Sequence, residues 1–114
     1  IMLPAVSELL EKSLKENLYG KIIQQLNKDF LLANVSYHFS EKINPSELKK
    51  SLVEILHKMV INNYDDYLNL IYRIDISEKD LAKIKGQSLK LIVDEITYLI
   101  LKREYQKVWF RNTI

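Results

Sequence analysis

Apolar residues recur along most of this chain at the three-and-four spacing of one helical face, and that periodicity predicts helices before any other property is considered. Val6, Leu9, Leu10 and Leu14 line one side of a first segment over about 4–17, with Glu8, Glu11, Lys12 and Lys15 on the other. Pro4 stands near its start, where a helix has no use for a backbone N–H. Asn17 and Gly20 interrupt or loosen the pattern, and Ile22, Ile23, Leu26, Phe30 and Leu31 resume it over about 19–33, with Asn34 as C-terminal cap. Val35, Tyr37 and Phe39 then alternate with Ser36, His38 and Ser40. A single extended run has no second strand to pair with, so 35–44 is expected to be a loop packed by its aromatics.

Asn44-Pro45-Ser46-Glu47 is the sharpest local signal: a capping residue, a proline at the first helical position and a glutamate placed to reach back. The helix it starts carries Leu48, Leu52, Ile55, Leu56, Met59 and Val60 as its buried stripe. Run on to Ile74 it would measure roughly 45 Å, longer than a small domain is wide, so a break is expected near Asn62-Asn63. Asn63 with Asp66 repeats the capping pattern and predicts a helix over about 64–73, with Tyr67, Leu70 and Ile71 inward. Ser77 with Asp80 predicts a short one over 78–85, ended at Gly86 and followed by a long helix over about 87–111. The expected fold class is all-α: a single-domain helical bundle of five to six helices over residues 1–114, with a long C-terminal helix.

Composition agrees. With 47% apolar and 28% charged residues in 114, the chain is large enough for one core. Two Gly and two Pro are too few for the turns of an all-β sandwich. Fourteen Ile and fourteen Lys against three Ala and three Arg fit an AT-rich coding sequence, which we read as bacterial. Seventeen basic against fifteen acidic residues leave +2, too small a surplus to imply a polyanion partner. The absence of cysteine removes disulfides, thiolate metal sites and thiol nucleophiles, and the expected location is cytoplasmic. No stretch approaches the roughly 20 apolar residues of a membrane span and no leader pattern is visible, so no membrane association is expected.

Candidate chemistry is sparse. Asp65, Asp66, Asp75, Glu78 and Asp80 form the one acidic cluster, but their spacing matches no calcium loop, and carboxylates in first helical turns are favoured by the helix dipole. His38 and His57 lie on different elements without the i, i+4 partner of a zinc site, and no nucleophile motif accompanies them. Gly20 and Gly86 cannot build a phosphate loop. The stretch Leu81-Ala82 to Gly86-Gln87-Ser88 has the outline of a helix-turn-helix, yet Leu89, Leu91, Ile92, Val93 and Ile96 would put hydrocarbon where a recognition helix needs polar groups. No catalytic residue, metal or cofactor is expected. Lys102, Arg103, Lys107 and Arg111, interleaved with Tyr105, Trp109 and Phe110, are the ingredients of a single-stranded nucleic-acid surface. They suit better a helix C-terminus whose cations complement the dipole and whose aromatics pack, and nucleic-acid binding stays the alternative rather than the expectation.

The last helix carries the strongest argument. Leu89, Ile92, Val93, Ile96, Leu99 and Ile100 share one face, whereas Tyr98, Leu101, Tyr105, Val108 and Trp109 lie nearly opposite. About 25 residues span roughly 37 Å, so the second half must meet a different neighbour, either the first helix or another subunit. Because two-fold pairing is the commonest cover for an exposed apolar stripe, the expectation is a non-catalytic protein–protein interaction or assembly module, homodimeric through Tyr98, Leu101, Tyr105, Val108 and Trp109.

Overall fold

Left-handed backbone costs little where a short polar side chain or a glycine occupies it, and this chain bends at four such places: Asn17 (φ 58°), Asn34 (φ 61°), Asp75 (φ 70°) and Gly86 (φ 83°). The computed structural model describes residues 2–84 and 86–113, with the backbone alone at 2–4, and Pro4 falls in the first turn of the first helix as expected. It forms six helices and, among the described residues, no strand. They are α1 (Met2–Lys15), α2 (Tyr19–Leu32), α3 (Pro45–Asn62), α4 (Tyr64–Ile74), α5 (Glu78–Ala82) and α6 (Leu89–Thr113).

The ends of these helices follow local chemistry. Behind Asn17 the Leu18 N–H donates to the Ser13 carbonyl at 2.8 Å, and behind Asn34 the Val35 N–H donates to the Phe30 carbonyl at 2.9 Å. Each bond closes a helix end through a left-handed residue. Gly20, by contrast, lies inside α2 and breaks nothing. At the start of α3 the Asn44 side chain accepts from the Glu47 N–H at 2.8 Å, with Pro45 in the first turn. The Ser77 hydroxyl accepts from the Asp80 N–H at 3.4 Å, although α5 ends at Ala82 rather than at 85. Asn63 departs from expectation: the break between α3 and α4 falls there, but its side chain makes no capping bond. Its backbone (φ −141°, ψ 57°) turns the chain without one.

Residues 35–44 form no strand and are pinned to α2. The Asn27 amide accepts from the Phe39 N–H at 2.7 Å and donates to the Phe39 carbonyl at 2.9 Å, which sets the Phe39 ring edge-on to Phe30 with centroids 5.4 Å apart. Tyr19 donates to the Ile43 carbonyl at 2.6 Å, and burial pushes its hydroxyl up to about 12.

The core runs continuously from Val6 and Leu10 of α1 through Leu26 and Phe30 of α2, Leu48, Leu52 and Leu56 of α3 and Leu70 and Ile74 of α4 to Val93, Ile96, Ile100 and Leu101 of α6. At about 1.5 Å per residue, the 25 residues of α6 match the 35 Å long axis of the molecule. Along that length α6 packs on α1, α2, α3 and α4. Among the described residues no helix is long and apolar enough to cross a membrane.

Candidate interaction surface on the last helix

The second half of α6 rotates its buried face away from the main core and onto α2 and the end of α1. Val108 is fully buried with Leu18 and Ile22, and Tyr105 packs on this small cluster. The Tyr105 hydroxyl donates to the Glu16 carboxylate, and the Lys12 ammonium stands 5.6 Å from its ring centroid. Burial and that carboxylate together push the hydroxyl up to about 12. Leu101 is fully buried in the main core, and Tyr98 packs against it. The expectation that Tyr98, Leu101, Tyr105, Val108 and Trp109 make one surface for a second subunit is therefore corrected for Leu101 and Val108, which the chain's own helices bury, while Tyr98 and Tyr105 are half-buried. Of the five, Trp109 alone faces outward, 38% exposed. It stacks edge-on against Phe110, 54% exposed, with ring centroids 5.5 Å apart.

On the α2 side of α6 lies a buried ionic cluster that sequence reasoning did not find. Lys107 Nζ sits 2.7 Å from Asp29 Oδ2 and 2.7 Å from Glu104 Oε1, with both carboxylates removed from solvent. Only the contact to Asp29 is aligned as a hydrogen bond, and neither Glu104 oxygen has a hydrogen-bond partner. Asp29 also accepts from the Gln25 amide at 3.2 Å, so the unpartnered group is Glu104, and a proton on it would supply a donor toward Asp29. The shifts run the same way: burial first, then Asp29, pushes Glu104 up to about 9. For Asp29, burial is outweighed by hydrogen bonds from Glu104, Lys107 and Gln25, which hold it below the ordinary carboxylate value. A signal was present, since Glu104 falls four residues after Ile100 and four before Val108, on their buried side.

Above this cluster two shallow pockets, of about 360 and 430 Å³, share Gln25, Lys28 and Arg111 and merge into one trough between α2 and α6. Lys21, Lys28, Arg103, Lys107 and Arg111 line it, Phe110 walls one side, and no carboxylate is among its lining residues. Arg103 reaches across to α4, donating to the Asp75 carbonyl at 3.1 Å and carboxylate at 3.2 Å. Arg111 donates to the Gln25 side chain and Lys21 to that of Asn112. Lys102 lines a neighbouring small pocket with Asp75 and Asp80, which shares Arg103 with the trough.

The remaining candidates stay apart. His38 and His57 are both exposed, and no group of three or more potential metal ligands gathers among the described residues. A wider groove, about 870 Å³ between the N-terminal halves of α3 and α6, sets Lys49, Lys50 and Lys90 against Glu54, Asp94 and Glu95, so it selects no ligand charge. A second outward feature went unread in the sequence: Tyr64, Leu68 and Tyr72 repeat every fourth residue on α4 beside its buried face, with the Tyr64 ring 5.6 Å from that of buried Tyr67, and Tyr72 is 86% exposed. Comparison of the chain with known protein families, curated proteins and solved structures found no match.

Proposed function

We propose that this chain is a non-catalytic protein-interaction and assembly module of the cytoplasm, homodimeric through the outward face at the end of α6. The observation that carries the reading is the Trp109–Phe110 pair, two stacked rings left in water on a helix whose other large apolar groups in this half are covered. Trp and Tyr-like aromatics bring large contact area with little side-chain entropy to lose, which is why they recur at the centres of interfaces. Molar mass in solution across protein concentration tests this directly. A nucleic-acid-free species that moves from one to two chains as concentration rises supports it, and a monomer throughout removes it.

The second reading, a nucleic-acid-binding accessory protein, gains one observation: Lys21 and Lys28 of α2 join Arg103, Lys107 and Arg111 of α6 around the trough. It is weakened because Lys107 already sits on Asp29 and Arg103 on Asp75. Salt separates the two readings, since each phosphate contact that releases a counterion steepens the fall of affinity with ionic strength. A labelled single-stranded oligonucleotide is expected not to bind at physiological salt. A submicromolar complex that dissolves with added salt would put this second reading first.

A further inference from the structure

The proposed homodimer leaves open what its surface meets. Among the described residues the trough is lined by five cations and no carboxylate, with Lys107 and Arg103 already paired to Asp29 and Asp75 beside it. Lys21 and Arg111 are held by neutral amides, and Lys28 forms no ion pair among the described residues. Such a surface attracts an acidic partner and repels a basic one. The chain itself carries the complement. On α4 the outward stripe of Tyr64, Leu68 and Tyr72 is flanked by Asp65, with Asp66 and Arg73 further round the exposed side, and both aspartates are exposed and without an ion-pair partner among the described residues.

Dimensions agree as well as charge. From Tyr64 to Tyr72 the α4 stripe runs about 12 Å, and from Arg103 to Asn112 the α6 wall of the trough runs about 13.5 Å, at the rise of an α-helix. The two surfaces also meet on one molecule, because Asp75 at the end of α4 is bound by Arg103 at the end of the trough. In a two-fold dimer, patch i of one chain meets patch j of the other and the reverse contact follows by symmetry, so neighbouring complementary patches can both be satisfied in one interface. Resting on the homodimer reading, we infer that the occupant of the α2–α6 trough is α4 of a second copy of this chain, acidic first turn and aromatic stripe against cations and Phe110, with the contact made twice.

A charge-swap experiment tests it. Lys21→Glu with Lys28→Glu reverses the charge on the α2 side of the trough, and Asp65→Lys with Asp66→Lys reverses it at the first turn of α4. Each double variant alone sets like charges against each other in both contacts, and dimerisation is expected to weaken at least about a hundredfold. Mixed one to one, the variants restore opposite charges in both contacts, and a heterodimer should return to within about tenfold of the parent affinity. Circular dichroism checks that each variant is folded. If the lysines at 65 and 66 unfold α4, Asp65→Asn with Asp66→Asn takes their place, and a measurable weakening is then expected.

Folded variants that fail to pair even when mixed overturn the inference. So do variants that dimerise as tightly as the parent, and if Trp109→Ala still abolishes that dimer the homodimer reading survives without this partner surface. A parent chain that stays monomeric at every concentration removes both.

Discussion

Lys107→Met is expected to lower the free energy of unfolding by about 3–5 kcal/mol at neutral pH, because it takes the only ammonium from a buried carboxylate. Asp29 is 5% exposed at its side chain and Glu104 not at all, so neither can turn to water in place of the lost partner. Methionine keeps the length and most of the apolar stem of lysine, which confines the change to charge. Urea denaturation of parent and variant measures it. A loss under about 1 kcal/mol would mean that the cluster is not the buried charge pair described, since breaking such a pair leaves an uncompensated ion.

The same cluster sets a pH dependence of definite sign. Glu104 is pushed up to about 9 in the folded chain, by burial and then by Asp29, from an ordinary value of 4.5. Between those values the folded state holds more protons than the unfolded, so its contribution is complete below about 4.5, declines as pH rises and is gone above about 9. Asp29 runs the other way: held below its ordinary 3.8, it contributes above that value and loses its contribution as pH falls. Glu104→Gln removes the alkaline loss while keeping an amide donor toward Asp29. Its stability should fall less than that of the parent from neutral toward pH about 9, with the gain over the parent largest at the alkaline end. Parallel curves for the two proteins would show that Glu104 is already ionised at neutral pH.

Trp109→Ala is expected to weaken self-association at least about thirtyfold, the equivalent of roughly 2 kcal/mol for an aromatic anchor at an interface. Helicity should be kept, because Trp109 belongs to neither apolar cluster of the fold. Sedimentation or light scattering across concentration reads the effect. If instead the melting temperature falls equally at all protein concentrations while the molar mass is unchanged, Trp109 packs within its own chain and the interface assignment is withdrawn.

Much of the fold was legible because its signals are local. Asn34, Asn44-Pro45 and Ser77 act on backbone groups within a few residues, so the ends they mark fell where the sequence placed them. Asn63 shows the limit: the break is where chain length demanded it, but the capping bond that its type suggested is not made. The candidate surface was less legible. Leu101, Tyr105 and Val108 announced by their spacing that they need cover, and a helical period carries no information on whether that cover comes from the same chain or another.

What the sequence by itself determined was the all-α class, five to six helices with their approximate ends, and the change of buried face along the last of them, all consequences of periodicity and capping within one segment. Only the tertiary structure decided that α1 and α2 supply the second neighbour, that Asp29 meets Glu104 and Lys107 across a gap of more than seventy residues, and that two α2 lysines join the cations of α6. Those pairings depend on how helices cross, set by side-chain packing between segments far apart in the chain, and no pattern within a segment encodes them.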